Sequence, residues 1–166
     1  MQPEFHDMQE EYGRNLPDFQ NELQAKVYYF DYRKEQLELM EEIFQYYGLK
    51  LDYSPNSLQE MEELYFQLFR HGGFYDLQIS PEEFEKAMTV YFGEVVIFNT
   101  EDTFWAAKEY PFMEGKYTMA LETGRYTAHS LNLFQDHYLS VRNEREQAVY
   151  REYTKWLKRA KKTLGE

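Results

Sequence analysis

ISPEEFEKAMTVYFGEVVIFNTEDTFW, residues 79–105, puts a helix start, a dense apolar block, one embedded carboxylate and a tryptophan within 27 residues. Ser80-Pro81-Glu82-Glu83 reads as a capping box: a serine cap, proline at the first helical position and a glutamate three residues after the cap. Phe84, Ala87, Met88, Tyr91, Val95 and Phe98 then fall within a narrow angular sector of a helix. Val90, Phe92, Val96 and Ile97 add apolar groups on the flanks and far side, so such a helix would be buried nearly all round. The spacing predicts helix through Phe98, with Glu94 to Phe98 as a buried β-branched strand the competing reading.

Within this block Glu94 stands out. On a helix it lies beside Ala87 and Phe98 at the margin of the apolar sector, where its carboxylate can accept a hydrogen bond from the Trp105 indole. Two roles fit that position. Glu94 is either a general base or ligand anchor in a pocket lined by Trp105 and Tyr91, with His129 approaching from the sheet, or a structural tie between helix and strand.

Upstream, Leu23, Val27, Phe30, Leu37, Met40, Phe44 and Tyr47 recur at three, four and seven residues, predicting a long helix from Asp18 to Tyr47 stopped by Gly48. The aromatics Tyr28, Tyr29, Phe30 and Tyr32 surround its axis and allow a break near Tyr32. Leu49, Leu51 and Tyr53 make a short extended connector, after which Ser54-Pro55 restarts the chain as a helix cap. Leu58, Met61, Leu64, Tyr65 and Leu68 form the stripe of that helix, which stops at His71-Gly72-Gly73. Residues 1–17 lack a period and contain Pro3, Gly13 and Pro17, which makes them an N-terminal arm. Residues 18–166 read as one domain.

Downstream of Asn99 the pattern changes to short β-rich runs. Phe104 to Lys108, Tyr117 to Glu122 and Tyr126 to Leu131 alternate with turn residues at Pro111, Glu114-Gly115 and Thr123-Gly124-Arg125. A closing helix is expected from Asn143 to Lys162, with Val149, Tyr153, Trp156 and Ala160 inward and Lys155, Lys158, Arg159 and Lys162 on the opposite face. The fold class that follows is α+β, several helices packed on a small three- to four-stranded antiparallel sheet, completed by a C-terminal helix. Trp105 and Trp156 are both expected to be largely buried.

Charge and composition narrow the function classes. Residues 1–130 hold 25 acidic and 10 basic groups, and residues 131–166 hold 5 and 8, for a net −12 overall. Such a body repels nucleic acid and anionic membranes, and its basic tail is suited to dock on its own acidic body. The absence of cysteine removes disulfides, thiolate metal sites and cysteine nucleophiles, and fits a reducing cytoplasm. The most apolar run, Met88 to Phe98, is too short to span a bilayer and is interrupted by Gly93 and Glu94. No secretory signal is expected, since the first residues carry acids and no apolar run.

No chemistry-bearing motif assembles. His6, His71, His129 and His137 include no pair at i, i+4, so no metal site is expected. Ser130 beside His129 lacks a nucleophile elbow, and Gly72-Gly73 lacks the lysine or serine of a phosphate loop. The acidic doublets Glu10-Glu11, Glu41-Glu42, Glu62-Glu63 and Glu82-Glu83 read as solvated helix faces. No catalytic residue, metal or cofactor is assigned.

Tyr53-Ser54-Pro55-Asn56-Ser57-Leu58 at one helix start, Tyr91-Phe92-Gly93-Glu94-Val95 in the next and Trp105 beyond it together resemble a group of small bacterial α+β proteins of unknown function. These share a Y-S-x-x-S-L helix start, an aromatic-x-Gly-Glu-Val block and a tryptophan about ten residues later. The resemblance covers about residues 50–135 and implies helix through Phe98 with a sheet after it. It implies no catalytic residue. Proteins of this size and style include immunity and accessory proteins beside bacterial toxins, an analogy of style alone.

The function expected is therefore a non-enzymatic protein-interaction domain of the immunity or accessory type, acting on a protein partner or as a homodimer. Tyrosine, with 16 copies, supplies contact area at low entropic cost. A small-ligand binder or enzyme built on a semi-buried Glu94 is the alternative.

Overall fold

The computed structural model describes residues 11–129, 133–140 and 146–163. Helix α1 spans Glu22–Tyr46, α2 Pro55–Arg70, the short α3 Gly73–Leu77 and α4 Pro81–Asn99. Strands β1 (Thr103–Glu109), β2 (Tyr117–Thr123) and β3 (Tyr126–His129) follow, then the one-turn α5 (His137–Ser140) and α6 (Ala148–Thr163). The strands form one antiparallel sheet in the order β1-β2-β3, so the architecture is α+β as expected.

The helix starts are set by side-chain caps. Ser54 accepts a hydrogen bond from the Ser57 N–H and Ser80 from the Glu83 N–H, each with proline in the first turn. Helix α4 runs unbroken through Phe98, so Glu94 to Phe98 is helical and the strand alternative falls away. Its twelve buried residues, from Phe84 to Val96, show why: a helix enclosed on nearly every side carries β-branched residues as readily as a buried strand does.

Three expectations about element limits need correction. Helix α1 begins at Glu22, because Asn21 is extended and caps the Gln24 N–H, while Asp18 is bridged to Lys116 at the base of the sheet. It continues without a break at Tyr32 and ends where Gly48 takes φ +70 and the Leu49 N–H reaches the Phe44 carbonyl. Helix α6 begins at Ala148, since Gln147 has φ +52, a left-handed conformation no α-helix accommodates. The expected start at Asn143 and the extension of β3 to Leu131 lie outside the described residues.

The largest correction concerns which face of α1 is inside. Met40, Ile43 and Phe44 in its C-terminal half join the main core, but Leu23, Val27 and Phe30 are 69%, 58% and 64% exposed. In the N-terminal half the inward residues are Ala25 and Tyr29, which pack with Ala107 and Met119 of the sheet in a second, smaller core. A helix that crosses from a helical bundle to a sheet changes its buried face on the way.

The main core joins Leu58, Met61 and Tyr65 of α2, Phe84, Met88, Tyr91 and Val95 of α4, Leu121 of β2 and Val149, Tyr153, Trp156 and Ala160 of α6. The inward face predicted for the last helix is therefore the face observed. Beside this face, the Arg159 guanidinium donates to the Tyr126 hydroxyl at 2.7 Å and lies 5.6 Å from that ring's centre, docking a basic residue of the tail on β3.

Two carboxylates expected at helix surfaces or left unremarked are instead buried. Glu62 accepts from the Ala148 and Val149 N–H groups and contacts His137 Nε2 at 3.2 Å. Glu85 accepts from the Tyr65 hydroxyl at 2.6 Å and from the His137 and Asp136 N–H groups at 2.8 and 3.3 Å. Each supplies an acceptor to a chain turn that has none of its own. Burial pushes the Glu85 carboxyl above its ordinary range.

Among the described residues preceding α1, Tyr12 packs edge-on against Tyr110 at 5.3 Å, and Lys116 Nζ donates to the Leu16 carbonyl at 2.9 Å. Burial pushes the Tyr12 phenol up to about 12 and drives Tyr29, Tyr32 and Tyr65 higher still. A phenol raised in the folded chain stabilises it fully below its unfolded pKa of about 10 and loses that contribution as pH climbs through the folded value. Stability is expected to fall steeply between about pH 10 and 12, by on the order of 2 kcal/mol from Tyr12 alone. Phenolate absorbance measured with circular dichroism through the alkaline range checks this: the buried tyrosines should ionise together with unfolding, and independent titration of all of them near pH 10 in a folded chain contradicts it.

Candidate functional site

The segment that opened the reading folds back on itself at the α4–β1 turn. Trp105 lies across α4 directly over Gly93, where a β-carbon would fall 1.9 Å from the indole Cζ2 atom. The helix tolerates glycine here because only the bare backbone admits the ring. Trp105 Nε1 then donates to Glu94 Oε1 at 3.0 Å, and Arg33 of α1 donates to the same oxygen. One carboxylate thus joins two helices and a strand.

Substituting Gly93 by alanine is expected to destabilise the fold by about 1 to 3 kcal/mol, since Trp105 must leave its site to make room. Urea unfolding, with Trp105 fluorescence as the local probe, would measure it. The gain of about 1 kcal/mol that alanine ordinarily brings to a helix interior would be the opposite outcome.

The sequence-predicted site residues separate in space. Glu94 is largely buried, with its side chain 11% exposed, and is held by Arg33 and Trp105. Tyr91 is fully buried and points to the start of α2, where its hydroxyl accepts from the Tyr53 N–H at 3.0 Å and pairs with Ser57 Oγ at 2.7 Å. The Y-S-x-x-S-L turn is therefore locked to α4 through Tyr91. Trp105 is partly buried, short of the burial expected, and lines a groove. His129 ends β3 opposite Ala120, and its side chain lies outside the described residues. His6 and Ser130 also lie outside them.

The groove runs between α1 and strands β1 and β2, with a volume of about 500 Å³. Phe30, Phe104, Trp105 and Met119 supply its apolar lining, while Glu94 and Tyr91 do not line it. Strand β1 pairs with β2 on one side only and is an edge strand of the sheet. Phe104 is 53% exposed and lines the groove with Phe30, while Leu23 and Val27 are exposed on α1 outside its lining. The charges around it are paired with one another: Lys26 with Glu22 at 3.4 Å, Lys108 with Glu122 at 2.8 Å, and Arg33 with Glu94.

This surface escaped sequence reasoning, although its signal was present. Leu23, Val27 and Phe30 have core spacing, and a stripe of that spacing reads identically whether a core or a partner covers it. Among the described residues no group of three or more His, Asp or Glu side chains is placed to hold a metal ion, and no described helix is long and apolar enough to cross a membrane.

Residues 18–157 match the sequence profile of the family described as Uncharacterised protein YwmA. The chain is 36% identical over 145 residues to the Bacillus subtilis (strain 168) protein of that description, an alignment covering 87% of this chain and 92% of that one. No solved structure gives a significant match.

Proposed function

We propose, from the premise that this chain belongs to the YwmA family of small bacterial proteins, that it is a non-enzymatic protein-interaction domain of the immunity or accessory type. The observation that carries the reading is the exposed apolar stripe Leu23, Val27 and Phe30 of α1, which meets at Phe30 a groove that Phe104 also lines and whose charges are already paired. An apolar centre with a satisfied polar rim is the anatomy of a protein interface. A chain that left these groups in water without a partner would gain nothing from their spacing.

Glu94 supports the same reading by its engagement. Both donors within reach are bonded to one of its oxygens, and it forms no part of the groove lining. A general base needs an approach for the proton it removes. In this proposal Glu94 is a tie that fixes Trp105 and the edge of β1, with a second copy of the chain as the other occupant the groove admits.

The test is a triple variant, Leu23→Ser, Val27→Ser and Phe30→Ser. All three side chains are exposed, so its melting temperature should stay near that of the wild type. Affinity capture and sedimentation should show a stoichiometric complex for the wild type and its loss in the variant. Complex formation undiminished in the variant, or a wild-type chain that forms neither a complex nor a dimer, would overturn the proposal. Glu94→Gln should lower stability by about 1 to 2 kcal/mol without loss of binding. Collapse of binding at normal stability would instead give Glu94 a direct role.

A further inference from the structure

A second cavity, of about 390 Å³, lies between α1, α4 and the segment preceding α1. Its volume is that of a small-molecule site. Tyr12, Tyr28, Tyr29 and Tyr32 line it, with Glu82, Glu85 and Lys86 among the residues of α4 that complete it. The three tyrosines of α1 are set at right angles. Tyr28 and Tyr32 are near parallel, 17° apart, and Tyr29 stands at 86° to both.

We propose that this cavity binds a small organic cation whose head is a methylated or alkylated ammonium. Aromatic rings attract such a cation through their quadrupole, and the attraction strengthens as water is excluded. Tyr29 offers its ring rather than a donor, because its hydroxyl is already given to the Tyr117 carbonyl at 2.8 Å. A quaternary ammonium has no N–H to satisfy, so a wall of rings serves it without further acceptors.

The charges point the same way. Glu85 is 5% exposed, lies in the cavity wall and accepts three hydrogen bonds. Glu82 and Lys86 are exposed at the rim on successive turns of α4. Two acidic side chains against one ammonium give the lining an acidic bias, within a body whose first 130 residues carry 25 acids and 10 bases. An anionic ligand would have Lys86 alone in its favour.

Choline titrated into the full-length protein tests the site, because proton NMR reports where the methyl groups sit. Binding against tyrosine rings should shift the trimethylammonium signal upfield in a saturable way. The neutral isostere, with a tert-butyl group in place of trimethylammonium, should bind about tenfold more weakly. Tyr28→Leu and Tyr32→Leu should each weaken choline by about three- to tenfold, and Tyr28 is 43% exposed, so the first variant should keep its fold. Lys86→Met should strengthen it. No saturable shift, equal binding of the isostere, binding unchanged in both tyrosine variants, or weaker binding in Lys86→Met would each overturn the proposal. Loss of this site would leave the groove between α1 and β1 unaffected, since the two share only the Tyr29 ring.

Discussion

Trp156→Ala is expected to cost about 3 to 5 kcal/mol, much of the stability of a chain this size. The indole is 3% exposed, faces the Tyr126 ring at 4.5 Å and belongs to the core that joins α6 to α2 and α4. Alanine removes that packing and leaves a cavity that the surrounding helices fill only in part. Among the described residues the buried indole N–H has no hydrogen-bond partner, so Trp156→Phe should recover most of the loss: it removes that donor along with part of the ring. Urea unfolding of the two variants beside the wild type measures both effects. A loss below about 1 kcal/mol for the alanine variant would mean that α6 does not complete the core.

Glu62→Ala should be comparably severe, at about 3 to 5 kcal/mol. The carboxylate is 3% exposed and serves three groups at once: the Ala148 and Val149 N–H donors that open α6, and the His137 ring. Removing it takes the acceptor from the Ala148 and Val149 N–H groups and a negative charge from a helix N-terminus. Glu62→Gln keeps one oxygen and the shape of the side chain, so it should lose less than the alanine variant. Hydrogen exchange would separate a local from a global effect, with the first turn of α6 expected to lose protection before the helices of the main core. Uniform loss across the chain, or no loss at Ala148 and Val149, would show that the cap does not hold α6 in place.

The two variants act on the same helix from its two faces of attachment. Trp156 holds it by apolar packing and Glu62 by a cap supplied from α2. Their side chains bond different partners, so the double variant should lose close to the sum of the single losses unless the first already unfolds the chain.

The sequence by itself determined the elements whose signals are local. Ser54-Pro55 and Ser80-Pro81 announced two helices because a serine oxygen caps an N–H only three residues away. Trp156 and its neighbours at helical spacing announced the buried face of α6, and the turn residues announced three antiparallel strands. The bond from Trp105 to Glu94 was legible too, since eleven residues and one helix end separate them. Only the tertiary structure decided what depended on distant neighbours. Arg33 meets Glu94 across 61 residues, Glu62 meets the start of α6 across 86 and 87, and Tyr91 meets the turn before α2 across 38 and 34. The stripe Leu23, Val27 and Phe30 has the period of a core, but period states only that one face is apolar. Whether a core covers that face is fixed by where the sheet lies, and here it covers Ala25 and Tyr29 instead.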